Sequence, residues 1–347
     1  MDPVTHGLLG ATIGQAFFKE KLGNKAVLWA APIAMIPDID IVTRYVVNPF
    51  SELTYHRGIT HSLWFGPVLG SLLGYSVWKY YQHKASLKKS PPQAKGALSA
   101  WMLLFSLSLL SHGLLDFCTS YGTQLLAPFS DKRFAVDAVS VIDPFYTFIL
   151  LASLIAGFCF KPLKRLSSLY GRIALTLSTV FLMGGSFFNN QAISLATKDL
   201  ELKNLEAYEV SCYPTLFQPF YRRLVAQNGG TSCIGYISLL RPKAPIAWQC
   251  MDELFNPLAE KLKSTREGKL FNWFAMGKVR TVIKHLDHGN TLVQLNDLRY
   301  GFPGTPSLWG IEAIFNNKGE RISSIEYFSH RPPFELKSVW EFLKRIF

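Results

Sequence analysis

The stretch Thr54–Tyr81, TYHRGITHSLWFGPVLGSLLGYSVWKYY, opens with two histidines and an arginine and then runs into the apolar segment Ser62–Tyr81. An apolar run of that length reads as a membrane helix. His56, Arg57 and His61 therefore stand at the mouth of a candidate span. A lone histidine there is usually a solvated interface residue, so the reading turns on whether other metal-type side chains share its depth.

Five further apolar runs occur: Val4–Phe18, Ala26–Pro37, Ala97–Leu115, Val141–Phe160 and Ile173–Phe188. The last three, with Ser62–Tyr81, are expected to span. The first two are short. Val4–Phe18 carries Gly7, Gly10 and Gly14, a spacing for half a span or for close packing on a neighbouring helix. The expected fold is an α-helical membrane domain of four to six apolar helices over residues 1–188. A soluble α/β or α+β domain follows over residues 189–347.

Composition agrees with this division. The 347 residues are 49% hydrophobic and only 17% charged, below the quarter usual in soluble proteins, with a mean hydropathy of +0.15. The net charge of +12 raises nucleic acid as a partner. No helix carries a basic stripe interleaved with exposed aromatics, so that class is excluded. If each run crosses once, one side collects the loops with Lys19, Lys21, Lys25, Lys79, Lys84, Lys88, Lys89, Lys95, Lys161, Lys164, Arg165 and Arg172, against the single acid Glu20. Positive loops favour the cytoplasm. The opposite ends of the runs, and the polar half, are thus expected outside the cytoplasmic membrane. The start, MDPVTHGLLG, has an acid where a cleavable signal needs positive charge, and is expected to be retained.

In the polar half, strand-like runs cover 207–215, 221–229, 231–240, 278–286, 291–301, 308–316 and 320–330. NGG, DHGN and NNKG mark hairpins between adjacent strands. Helices are expected over Asp252–Lys269 and Pro333–Ile346. Of the five cysteines, Cys118, Cys159, Cys212, Cys233 and Cys250, none forms a CxxC pair, which argues against a thiolate zinc site. Three lie in the polar half, where one disulfide can form in an oxidising compartment.

Alternating runs bring His6, Asp38, Asp40, His56, His61, His112, Asp116 and Asp143 to one level on the outward side. His112 and Asp116 are four apart and share a helix face, as one ion requires. Pro37 ends the second run, so Asp38 and Asp40 fall on a turn. Their spacing lets them converge or bridge two ions. His56 and His61, five apart, suit a loop feeding a helix. Burying such groups near lipid costs ~2.5–3.5 kcal/mol each at a helix centre, and a cation offsets that. Imidazole and carboxylate without sulfur suit one or two divalent ions, zinc first, with manganese or iron as alternatives. Asp2 reads as a helix cap, and Asp143 before Pro144 reads equally as cap or ligand. His83 is ordinary surface, and His285, His288 and His330 have no carboxylate at ligand spacing.

The blocks DPVTHGLLG, IPDID, HRGITHS and HGLLDFCTSYGTQLLAPFSDKRF resemble the signature segments of the YdjM/YbcI family of inner-membrane metal-dependent hydrolases, in its longer, YfhP-like form. The resemblance covers roughly residues 1–150. It implies a membrane protein with a His/Asp metal site at His6, Asp38, Asp40, His56, His61, His112 and Asp116, and hydrolytic activity. The His-x3-Asp pair is also similar to zinc-dependent phospholipase C and S1/P1-type nucleases. This chain departs from both in its all-round apolar helices and in lacking a second His-x3-Glu pair.

The expected activity is metal-assisted hydrolysis of a phosphoester or lipid-linked substrate at the bilayer surface. Asp40 or Asp38 is expected as bridging ligand or general base. Arg57 and Arg133 would clamp an anionic group, with headgroup snorkelling as the alternative for both. TSYGTQ (119–124) supplies donors or turns the chain. Two other classes compete: a scaffold whose metal is structural and whose C-terminal domain binds a partner, and an ion-relaying transporter. A relay needs polar groups along a path through the membrane, whereas here they lie at one level.

Overall fold

The computed structural model describes residues 1–89, 91–159, 164–205, 208–253, 255–301 and 307–329. They fall into two compact units. One comprises Met1–Val46 with Tyr55–Gly184; the other comprises Val47–Thr54 with the chain from Gly185 onward.

In the first unit, α1 (Pro3–Ile13) starts on Asp2, whose carboxylate accepts from Thr5 N at 3.0 Å, with Pro3 in the first turn. Both are favoured there, because Asp satisfies an unpaired amide and Pro lacks one. The helix runs on through a π-helical stretch, Gly14–Phe18, and a last turn, Lys19–Leu22. Arg172 Nε donates to Ala16 O within that stretch at 3.2 Å. α2 (Asn24–Met35) packs against α1. A Cβ on Gly10 would stand 2.5 Å from Ala30 O, and one on Gly14 would stand 2.6 Å from Ala26 O. Of the two readings of the glycine spacing, close packing is the one observed. Pro37 then turns the chain into a 3-10 helix, Ile36–Val42, followed by the turn Thr43–Val46.

α3 (Phe65–Leu87) and α4 (Ala97–Phe117) form the most closely packed helix pair. α4 lies at the centre, burying Trp101, Leu104, Phe105 and Leu109. Asp143 caps α5 (Pro144–Cys159), accepting from the amides of Phe145 and Tyr146 at 3.0 Å each. Towards the other end of α5, Gln15 Nε2 donates to Ser153 O at 3.0 Å and Lys19 Nζ to Gly157 O at 3.1 Å. These side chains satisfy carbonyls near a helix terminus. α6 (Lys164–Leu202) contributes its residues up to 184 to this unit. Among the described residues, three helical stretches are long and apolar enough to cross a membrane: Asn24–Val46, Ala97–Phe117 and Leu166–Leu202. Pro144–Phe158 is apolar but shorter, and α3, where a span was expected, is long enough but not among the three. The second apolar run is thus longer than its sequence suggested, because helical structure continues past Pro37.

The second unit holds two four-stranded antiparallel meanders. The first is β1 (Glu209–Pro214), β2 (Tyr221–Gln227), β3 (Thr231–Ser238) and β4 (Gln249–Asp252). It packs on Ala192 and Ala196 of α6 through Cys212, Leu224, Ile237 and Ile246. Cys233 and Cys250 face each other across β3 and β4 and form a disulfide. The second meander is β5 (Val279–His285), β6 (Thr291–Asp297), β7 (Trp309–Phe315) and β8 (Glu326–Ser329). Inside it, Arg299 and Asp297 pair at 2.7 Å, both buried. Burial works against the Arg299 charge, and the adjacent Asp297 carboxylate more than restores it, so the pKa of Arg299 is raised.

Two expectations change here. Asp252 belongs to β4, a short strand without an alternating pattern. The helical segment starts later and is broken into α7 (Pro257–Ser264) and α8 (Arg266–Phe274). Asn256 caps the first through Leu258 N and Ala259 N. Thr265 ends it and caps the second through Gly268 N. The helix expected over Pro333–Ile346 lies outside the described residues, as does His330. The architecture is a helical N-terminal region followed by an α+β domain of two antiparallel sheets.

Gly10→Ala should destabilise the detergent-solubilised protein by about 1–3 kcal/mol, the usual cost of overpacking. Gly184→Ala, whose Cβ meets nothing within 4 Å, should not. Thermal unfolding of the two variants side by side checks this.

Candidate metal centre

Four segments deliver the polar side chains to one place. α1 supplies His6, and the 3-10 turn after α2 supplies Asp38 and Asp40. The loop before α3, ending in the single 3-10 turn Ile59–His61, supplies His56, Arg57 and His61. The last turns of α4 supply His112 and Asp116, four residues apart on one face. Gly113 makes this meeting feasible. A Cβ there would lie 2.3 Å from His61 O, so any other residue would push the His61 turn away from α4.

Asp38, His61, His112 and Asp116 form a cluster whose donor atoms lie within 4.8 Å of one another. His61 Nε2 and His112 Nε2 are 3.0 Å apart. Asp38 Oδ1 stands 3.3 Å from His112 Nε2 and 3.6 Å from His61 Nε2. Asp116 Oδ2 stands 3.2 Å from His61 Nε2 and 3.6 Å from His112 Nε2. Bonds of about 2.0–2.2 Å to a tetrahedral zinc ion imply edges of about 3.3–3.6 Å between donors, so the spacing fits such an ion.

Hydrogen bonding fixes what these atoms are. His112 Nδ1 donates to Ala34 O at 2.7 Å; a carbonyl only accepts, so the neutral ring presents a bare Nε2. His61 Nδ1 lies 3.0 Å from Thr60 Oγ1, whose proton goes to Asp40 Oδ2 at 2.6 Å. His61 Nδ1 therefore donates, and its Nε2 is bare in the neutral ring as well. With both rings neutral, two lone pairs and two carboxylate oxygens converge, the arrangement expected of metal ligands. Asp38, Asp40 and Asp116 outnumber the cations that reach them, Arg57 and the Met1 ammonium, so negative charge remains for a bound cation to offset. His61, His112 and Asp116 are fully buried, whereas Asp38 keeps 18% of its side chain exposed, so the approach from outside runs past Asp38.

The other expected residues surround this cluster. His6 stacks on the His112 ring at 3.5 Å, with Nε2 3.2 Å from Asp116 Oδ1; its buried Nδ1 has no hydrogen bond. The Met1 nitrogen also contacts Asp116 Oδ1. Asp40 and His56 pair with each other at 2.7 Å and stand outside the four-residue cluster. Arg57, 3% exposed, places Nε 2.9 Å from Asp116 Oδ2 and donates to Thr119 Oγ1 at 2.6 Å. Arg133, 4% exposed, donates to Gly122 O at 3.1 Å and His56 O at 3.3 Å. Both guanidinium groups lie over the Tyr121 ring. Their burial and protein partners correct the headgroup-snorkelling alternative.

TSYGTQ is the clasp that receives these arginines: Thr119 accepts from Arg57, and Gln124 N donates to Arg57 O at 2.9 Å. Sequence reasoning missed Thr60, although its place beside His61 in HRGITHS was the available signal. Asp2 and Asp143 serve as caps. His83, His285 and His288 are exposed.

A helical membrane region carrying a buried His/Asp cluster defines the class, and comparison with known proteins gives the family. The chain belongs to the YdjM inner membrane protein family, whose model matches residues 1–192 and so takes in the whole cluster. It is similar to the inner membrane protein YbcI of Escherichia coli K12, 29% identical over 133 residues, covering 38% of this chain and 69% of YbcI. It is also similar to the uncharacterized protein YfhP of Bacillus subtilis 168, 28% identical over 165 residues, covering 44% of this chain and 45% of YfhP. The match thus spans less than half of the latter's length. No solved structure matches the chain.

Arg57→Met should destabilise the protein by about 3–5 kcal/mol, because Asp116 then stays buried without that counter-charge. Unfolding followed in the presence of a chelator measures this term apart from any bound cation.

Proposed function

We propose that the chain is a membrane-embedded, metal-dependent hydrolase acting on a phosphoester of an amphiphilic, lipid-linked molecule at the outer face of the cytoplasmic membrane. The observation that carries this is the convergence of two imidazole nitrogens and two carboxylate oxygens, from four separate side chains, within 4.8 Å of one another. Asp38, His61, His112 and Asp116 would hold the ion, with His6 beside them and zinc the best fit to the donor set. An ion held there would acidify a water molecule toward neutrality and polarise a phosphoryl oxygen. Arg57 neutralises Asp116 and keeps it ionised and aimed. Arg133 ties the 119–124 loop to the His56 backbone.

Four protein donors also suit a saturated, structural ion, which is the scaffold reading. The exposure of Asp38 favours catalysis, because an outer carboxylate can leave a position open to water. The substrate class is supported by exposed apolar side chains close in sequence to the site residues. Ile39 and Ile41, neighbours in sequence of both aspartates, are exposed, as are Val42, Trp64 and Phe129. Exposed apolar side chains next to the site suit acyl chains more than a soluble ester.

Two observations support the orientation. Basic residues collect in the loops at the ends of the helices away from the cluster. The Cys233–Cys250 disulfide belongs in an oxidising compartment. We accordingly assign residues 1–188 to the multi-pass membrane domain and 189–347 to an extracytoplasmic domain.

Protein purified without chelator should retain about one divalent ion per chain, and His61→Ala and Asp116→Ala should each lose it while remaining in the membrane. Elemental analysis decides; wild-type protein without metal removes the reading. The loaded protein should hydrolyse at least one member of a lipid-phosphoester panel and stop on chelation, whereas loaded protein inert on the whole panel favours the scaffold. A tag after Phe347 should be reached by protease in intact spheroplasts, and its protection there would invert the orientation.

A further inference from the structure

We infer that Asp40 is a positioning residue, not a ligand or a base: it orients His61 for metal binding and sets the turn that aims Arg57. The inference rests on the metal reading above. Asp40 lies two residues from Asp38, yet its oxygens are engaged by protein donors. Oδ1 accepts from His56 Nδ1 at 2.7 Å. Oδ2 accepts from Thr60 Oγ1 at 2.6 Å and from Arg57 N at 3.2 Å, with His61 Nδ1 at 3.3 Å. A carboxylate so engaged has little left to offer a cation. Asp116 Oδ2, by contrast, has the Arg57 ion pair at 2.9 Å but no hydrogen bond of good geometry, and it faces both imidazole Nε2 atoms.

What Asp40 does follows from those partners. Through Thr60, and directly at longer range, it accepts the proton of His61 Nδ1, which leaves Nε2 as the coordinating atom. A carboxylate in that position also makes the ring a stronger donor to metal. Its bond to Arg57 N holds a residue whose φ is +60°, a conformation unfavourable for a non-glycine residue. The Arg57 side chain leaves that turn to meet Asp116. His56, on the other Asp40 oxygen, is then a neighbour of the site and not one of its ligands. Its ring meets His61 edge-on with centroids 5.7 Å apart.

The test uses the full chain, solubilised, stripped of metal and titrated with cobalt(II), reading both affinity and the visible ligand-field spectrum. Asp40→Asn keeps the shape but supplies an amide where the Thr60 proton and the His56 ring need an acceptor. It should weaken cobalt binding about 10–100-fold and shift the spectrum, while Asp40→Glu recovers part of both. Thr60→Val, a near-isosteric break in the same relay, should weaken binding several-fold and covers the case in which the Asp40 variants do not fold. His56→Ala should stay within a few-fold of wild type, and Asp116→Asn should not bind.

Wild-type affinity and spectrum in both Asp40→Asn and Thr60→Val would overturn the inference. So would Asp40→Asn as inert as Asp116→Asn in folded protein, which would make Asp40 a ligand, or loss of cobalt in His56→Ala. Wild-type protein that binds no cobalt sinks the inference and the metal reading together. A wild type that binds cobalt but hydrolyses nothing sinks the hydrolase reading alone, because the inference is read from the metal.

Discussion

Asp116 is an ionised group with no exposed surface, set near the end of α4, the helix at the centre of the first unit. Removing a carboxylate from water costs several kcal/mol even after the protein relaxes. Much of the surrounding structure acts to offset that. Arg57 approaches Asp116 from the 56–61 loop, His61 from the same loop, and His6 from α1. These pairings draw two segments of chain, α1 and the 56–61 loop, onto α4, so the need to compensate one charge also assembles the bundle's polar end.

That assembly also has steric requirements, met by glycines where backbones approach one another. α1 reaches its place because Gly10 and Gly14 let its backbone lie on α2. The His61 turn reaches α4 because Gly113 leaves room for a carbonyl. Small residues in helix contacts are the ordinary means of packing where lipid supplies no hydrophobic drive. Here they also set the depth at which His6, His61 and His112 meet. The packing and the site are consequently one construction, and a methyl group at Gly113 would be felt first in the position of a histidine ring.

Much of this was legible in the sequence because alternating apolar runs fix the ends of helices to one of two levels. His6, Asp38, His61, His112 and Asp116 could be placed together from topology alone, and they do meet. The hairpins at NGG and DHGN followed from turn chemistry in the same way, whereas after NNKG the chain returns through the isolated bridge Phe315–Arg321 and β8 starts only at Glu326. What was hidden depends on side-chain direction or on cooperative detail. β4 is four residues long and pairs because Cys250 stands opposite Cys233, a relation no local pattern carries. The α7/α8 break depends on Thr265 capping a second helix where propensity alone would continue the first. Arg57 and Arg133 have the composition of an anion clamp, and only their burial and partners show that protein groups already engage them.

The pair in IPDID marks the limit most sharply. Asp38 and Asp40 are identical in type, two residues apart and equally close to the histidines in any topological sketch. The segment is a 3-10 helix, with three residues per turn, so side chains two apart point about 120° away from each other. Asp38 is thereby turned toward the two imidazole nitrogens, and Asp40 toward the outer side of the His61 ring, where it meets Thr60 and His56. Had Pro37 been followed by a regular α-helix, the angle would open to about 160°. Pro37 at the start of the 3-10 turn thus accounts for the placement of both carboxylates: one among the bare acceptors of the cluster, the other behind the ring that completes it.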